Sequence, residues 1–133
     1  MPSAFENLSG THQLQVTTIA HAAATATEYV GVIQMPHAAR VTAVRFHPFA
    51  AVTGADTNST NLNVDTLVST TAAEIANVDL ASGTDLAAKT TATLGSSLTT
   101  ELAAGDRVAL ECEKVGTGLD VPAGTFIVEY QAI

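Results

Sequence analysis

The stretch Gly105–Ile133, GDRVALECEKVGTGLDVPAGTFIVEYQAI, carries the reading that decides the fold. Gly105-Asp106 makes a turn, after which Val108, Leu110 and Cys112 point one way and Arg107, Ala109, Glu111 and Glu113 the other. Phe126, Val128 and Tyr130 repeat the pattern, with Glu129 and Gln131 on the opposite side. Side chains of an extended chain alternate between faces, so a period of two with one apolar face marks a strand half-buried in a sheet. Gly116, Gly118 and Pro122-Ala123-Gly124 interrupt the pattern as a loop. Two such strands around a glycine-rich loop predict an antiparallel hairpin. The clean alternation argues against a parallel sheet covered on both faces.

The same period recurs upstream. His12–Ile19 places Leu14 and Val16 on one side, and Glu28–Met35 is a second run, stopped by Pro36. Arg40–Phe46 sets Val44 and Phe46 against Val41, Ala43 and Arg45. Leu62, Val64, Thr66 and Val68 alternate with Asn61, Asn63, Asp65 and Leu67, and Ala76, Val78 and Leu80 with Ile75, Asn77 and Asp79. Helix competes in two places. Ala20–Thr27 lacks an apolar stripe, and Leu94, Leu98 and Leu102 lie four apart as on one helical face, but Gly95 near the start and Gly105 at the end limit a helix there to about two turns. Thr90–Leu94 reads as a strand; Ser96–Leu102 stays open. Eight or so short strands between Gly, Asn, Asp and Pro turns predict an all-β chain, an antiparallel β-sandwich. A jelly roll fits best and an immunoglobulin-like sandwich second. Residues 1–10 lack periodicity and read as an N-terminal arm; residues 11–133 read as one domain.

Composition narrows the function classes. Of 133 residues, 47% are hydrophobic and only 14% charged, against roughly 25% in an average domain. Twenty-four alanines and twenty threonines take the place of the charges. Five Lys and Arg face thirteen Asp and Glu, a net charge of −8, so nucleic acid and anionic membrane are disfavoured as partners. No basic residue precedes Arg40, so a secretory signal is not expected, and no apolar run approaches the roughly 20 residues that cross a bilayer. These features predict a soluble protein.

Chemistry-bearing clusters are sparse. His12, His21, His37 and His47 include no i, i+2 or i, i+4 pair that would set two imidazoles on one metal. Asp56–Asn61 offers oxygens suited to calcium but lacks the central Gly and terminal Glu of an EF-hand loop, and such residues favour turns. Cys112 alone builds no disulfide, and its inward position predicts a buried, inert thiol. Glu111 and Glu113 share a strand face, where a solvated acidic surface is the expected account. Gly116-Thr117-Gly118 has neither the lysine nor the following helix of a phosphate loop. No catalytic residue, metal site or cofactor is expected, and the chain reads as a non-enzyme. Phe5 and Leu8, large apolar groups in an otherwise polar arm, are the candidates for partner or capsid contact.

The order of turns resembles a group of small structural proteins of tailed bacteriophages. The residues that carry the likeness are Val41–Asn61 (VTAVRFHPFAAVTGADTNSTN), Leu102–Leu110 (LAAGDRVAL) and Val115–Tyr130 (VGTGLDVPAGTFIVEY). Its turn signatures are Thr53–Asn58, Gly105-Asp106, Gly116–Leu119 and Pro122–Thr125, and the chain departs from it between Val68 and Leu98, where a glycine-rich insert is missing. The resemblance implies a jelly-roll head decoration, or cement, protein. Such a protein would be a homotrimeric structural component of the virion, made in the host cytoplasm, that binds the major capsid protein on the capsid exterior and stabilises capsomer junctions. The alternative is a carbohydrate- or receptor-binding module of a tail or head fibre, with Tyr29 and the Thr53–Thr60 loop as suspects. A small β-fold hydrolase or lyase with a histidine-held metal ranks third.

Overall fold

Runs rich in Val and Thr, whose branched side chains suit a pleated surface, form most of the regular structure. The computed structural model describes residues 10–133. It has nine strands: β1 (Thr11–Thr17), β2 (Glu28–Gln34), β3 (Ala39–Pro48), β4 (Ser59–Val68), β5 (Thr71–Asp79), β6 (Ala92–Gly95), β7 (Thr100–Leu102), β8 (Arg107–Val115) and β9 (Gly124–Ala132). Among the described residues there is no helix, and so none long and apolar enough to cross a membrane.

The strands make two antiparallel sheets packed as a β-sandwich. One has the order β1-β9-β3-β6, with β7 also on β3; the other is β2-β8-β4-β5. The pairing is nested. The chain's ends meet as β1 with β9, then β2 with β8, β3 with β6 and β7, and β4 with β5 as a hairpin. Two central ladders, β3 with β9 and β4 with β8, complete the sheets.

The expected hairpin of the two C-terminal strands does not form. β8 and β9 are correctly placed as strands with the expected faces, but they lie in different sheets. The eight-residue connection Gly116–Ala123 crosses the end of the sandwich, and Gly116 and Gly118 turn it with φ of 63° and 75°. A Cβ on Gly116 would stand 2.6 Å from the Thr57 carbonyl, and one on Gly118 2.6 Å from that of Ala23. Alternation reports which way a strand faces, and two strands facing each other across a core have the same alternation as two neighbours in one sheet.

Val41 is a second correction. It lies inward with Val44 and Phe46, all three fully buried. The register of β3 on β9 shifts between Val41 and Ala43, so Thr42 is an extra residue that resets the alternation. Ser96–Leu102 resolves into a turn and β7, with Leu94 and Leu102 buried. Inside, Phe46, Phe126, Leu62, Leu110, Met35 and Leu80 are among the largest fully buried side chains.

Small residues close both long sides of the sandwich. A Cβ on Gly31 of β2 would sit 2.8 Å from Thr18 Cγ2 and 3.3 Å from Val16 Cγ1. On the other side a Cβ on Gly95 of β6 would sit 2.8 Å from Ala76 Cβ of β5. Each glycine lets an edge strand of one sheet approach the edge of the other.

Candidate interaction surfaces

The connections β1–β2, β3–β4, β5–β6 and β8–β9 all emerge at one end of the sandwich, where Thr17 pairs with Thr125, Pro48 with Gly124 and Ser59 with Val115. Short polar side chains lace these loops together by accepting backbone N–H groups of neighbouring loops. Asp120 Oδ1 accepts from Ala23 (2.7 Å), Asp85 Oδ1 from Gly54 (2.8 Å), Asp56 Oδ1 from Ser82 (3.0 Å) and Asn58 Oδ1 from Thr117 (2.9 Å). Thr60 Oγ1 accepts from Leu119 N–H and donates to the Leu119 carbonyl. Each bond satisfies a loop donor that β-pairing leaves free, which fixes the loops against one another.

Between these loops lies an apolar depression of about 450 Å³, lined by Ala20, Ala22, Ala50, Ala51, Val121 and Pro122, with His21 and Asp120 at its wall. Phe49, next in sequence, is 47% exposed. Paired backbone bonds between His21 and Val121, and one from Phe49 N–H to the Ala123 carbonyl, hold the walls. The side chain of His21 turns into the core. It is 1% exposed, its Nδ1 donates to Glu28 Oε1 at 2.9 Å, and its Nε2 has no partner.

The outer face of β2-β8-β4-β5 is a second distinctive surface. Asn61 Nδ2 donates to Glu113, Asn63 Nδ2 to Glu111, Asn77 to Asn63, and the Tyr29 hydroxyl to Asp65 Oδ2 at 2.9 Å. Neighbouring side chains on this face cover one another, so Asn63 and Asp65 are buried although they alternate with the core residues Leu62 and Val64. Desolvation chiefly, helped by the hydrogen bond to Asp65 and the charges of Asp65 and Glu111, pushes the Tyr29 hydroxyl up to about 12. Burial, then the charges of Asp65, Glu113 and Glu74, raise Glu111 above the usual carboxylate range against the lowering effect of Asn63. The outer face of the other sheet is balanced instead, with Arg40 on Glu101 (2.7 Å) and Arg45 on Glu129.

The residues singled out by chemistry do not converge. His12 and His37 flank the Tyr130 ring, and His47 Nδ1 meets Thr91 Oγ1 at 3.0 Å. Among the described residues no group of three His, Cys, Asp or Glu is placed to hold a metal ion. Cys112 is buried, and desolvation with the nearby Glu28 and Glu111 pushes its thiol up to about 12. Glu113 and Glu111 accept hydrogen bonds from the Asn61 and Asn63 side-chain amides within the ladder. Tyr29 belongs to that sheet face, whereas Asp56, Asn58 and Thr60 of the suspect loop brace backbone at the loop end; no hydrogen bond links the two sets. Phe5 and Leu8 lie outside the described residues. The His21–Glu28 pair was not legible beforehand, since the seven-residue spacing across a loop matches no motif.

No protein-family model matches the chain, and no curated protein matches it. The chain is similar to a solved structure of infectious bursal disease virus, Gx strain, with a TM-score of 0.41 and 10% identity over 91% of its own length. It spans about a third of that chain, 32%.

Proposed function

We propose that this chain is a jelly-roll structural protein of a tailed-phage virion that binds the major capsid protein on the outer surface of the head and stabilises capsomer junctions as a homotrimer. The observation that carries the reading is the nested strand order, β1·β9, β2·β8, β3 with β6 and β7, and β4·β5, wound into a five-strand and a four-strand layer. The turn signatures of the phage resemblance also coincide with tight points of this fold. Asn58 Oδ1 accepts from Thr117 N–H, Gly116 and Gly118 adopt positive φ, and a Cβ on Gly124 would collide with the His47 carbonyl.

The rest of the molecule is in keeping with a protein that works by contact. Small Ala and Thr side chains lose little rotamer freedom at an interface. A net charge of −8 disfavours the packaged genome and anionic membranes as partners. Anything that binds the assembled lattice and not free subunits stabilises the shell by mass action, and no catalytic or cofactor chemistry is needed for that.

Co-sedimentation of the purified full chain with assembled, undecorated heads tests the proposal. Saturable pelleting at a fixed ratio to the capsid subunit is the expected result. Absence of pelleting with mature heads overturns it in favour of a tail or fibre component, and a glycan screen centred on Tyr29 follows.

A further inference from the structure

We infer that the apolar depression at the loop end receives the N-terminal segment of a second copy, with Phe5 and Leu8 as the inserted side chains, so that copies are joined by exchanged arms. The inference deepens the homotrimer reading and rests on it. Three observations carry it.

The depression exists before any occupant arrives. Its walls, Ala20, Ala22, Ala50, Ala51, Val121 and Pro122, belong to three loops tied together by the His21–Val121 and Phe49–Ala123 backbone bonds and by Asp120 on Ala23. A site of about 450 Å³ walled by methyl groups and a proline ring suits one aromatic and one aliphatic side chain, and preorganisation lowers the cost of filling it.

The chain carries such a pair outside the described residues. Phe5 and Leu8 lie three apart in MPSAFENLS, a segment with one charged residue, Glu6.

Reach then decides between the same copy and another. Residue 10 precedes β1 at the end where Thr11 pairs with Gln131, and the depression lies beyond the opposite end, where Thr17 pairs with Thr125. The seven-residue strand alone is about 23 Å long. Phe5 is five steps along the chain from Gly10, an extended span of about 17 Å, and Leu8 is two steps from it, about 7 Å. Neither side chain reaches the depression of its own molecule. A contact in which each copy gives one arm and accepts another is heterologous, and it closes into a ring where the rotation allows.

The test uses the free full-length protein without heads, so its failure leaves capsid binding standing. Asn7→Cys, between the two apolar residues, is mixed with Ala22→Cys on a separate chain and oxidised; Cys112 is buried and does not compete. Light scattering measures the mass of the full chain and of a chain lacking residues 1–9. The expected result is a disulfide-linked pair of chains, absent when Asn7→Cys is mixed with Thr71→Cys at the far end. The full chain is expected to be oligomeric, with association at least tenfold weaker after truncation or after Ala51→Trp fills the depression. Ala51 is exposed, so the larger side chain displaces no core residue, and an unchanged circular-dichroism spectrum checks that the variant folds. A monomeric full chain overturns the homotrimer reading and the inference with it, whereas an oligomer that forms no link between Asn7→Cys and Ala22→Cys chains overturns the inference alone. So does closure of the Asn7→Cys/Ala22→Cys double variant within one chain, or a truncated protein that keeps its oligomeric mass while losing capsid pelleting, which assigns the arm to the shell.

Discussion

Replacing Gly95 by alanine probes the seam where the edge of one sheet meets the edge of the other, and its outcome can be worked from two distances. The added Cβ would stand 2.8 Å from Ala76 Cβ, about 1 Å inside normal contact, while Val44 Cγ2 at 3.4 Å and Leu98 Cδ1 at 3.5 Å limit escape. Overpacking of this kind costs about 1–3 kcal/mol. Gly95 has no positive φ, so alanine is tolerated by the backbone and recovers about 0.4–1 kcal/mol by restricting the unfolded chain. The net expectation is a loss of about 1–2 kcal/mol. Ala76→Gly alone should cost about 1 kcal/mol, from added chain freedom in a strand and a lost half-buried methyl. The double variant transfers one methyl from β5 to β6 and removes the collision. Additivity would give a loss of about 2–3 kcal/mol; the seam geometry requires the double variant to lose about 1 kcal/mol or less. Urea unfolding of the four proteins, with equal m-values, measures the coupling. Single-variant losses that add to within about 0.5 kcal/mol would show that β5 and β6 are not in contact there, and the closure of the sandwich would need redrawing.

Four shorter expectations accompany it. Phe46→Ala, in a fully buried position opposite Phe126, should cost about 3–5 kcal/mol in the same assay, and a loss below about 1 kcal/mol would reverse the facing of β3. Tyr29 keeps its proton up to about 12 in the folded state against 10 unfolded, so its contribution to stability is complete below pH 10 and disappears as pH rises toward 12. An absorbance titration should therefore show a late-ionising signal that Tyr29→Phe removes, and Asp65→Asn should bring it down only part of the way, because desolvation is the largest cause. The Cys112 thiol should ignore thiol reagents at mildly alkaline pH until the protein is unfolded; stoichiometric labelling of native protein would contradict its burial. Deleting Met1–Gly10 should leave the fold intact, read as an unchanged circular-dichroism spectrum, and weaken pelleting with heads; equal decoration by the truncated chain would remove the arm from the account.

What could be read in advance follows from what alternation encodes. Leu14 and Val16, Leu62 and Val64, and Phe126, Val128 and Tyr130 lie on the expected faces because one-sided burial imposes a period of two. Partner choice left no such trace, which is why β8 and β9 read as a hairpin when their shared inward apolar set reflects contact through the core. The bulge at Thr42 was equally silent, since one extra residue in VTAVRF changes the face of Val41 without changing its composition. Burial on the outer side of β4 was hidden too. Asn63 and Asp65 look like solvent-facing residues until Tyr29, Glu111 and Asn77 are brought beside them from three other strands. The loop end was partly legible. Asp56–Asn61 read as turn-forming, and Asp56, Asn58 and Thr60 do fix backbone, although the loops they fix lie up to 59 residues away.

The proposed arm exchange and the proposed capsid attachment make connected demands on the same protein. A single copy on a lattice has only its own contact area, whereas copies held together engage several sites at once, and multivalency of this kind strengthens attachment by about 10²–10⁴-fold with no new contact to the shell. Losing residues 1–10 and filling the depression with Ala51→Trp should therefore weaken decoration to a similar degree, although one change removes the arm and the other leaves it intact. A direct arm-to-capsid contact makes a different forecast: the truncated chain detaches, and the Ala51→Trp chain stays bound. Comparing the two variants on the same heads separates an arm that joins copies to each other from one that joins each copy to the shell.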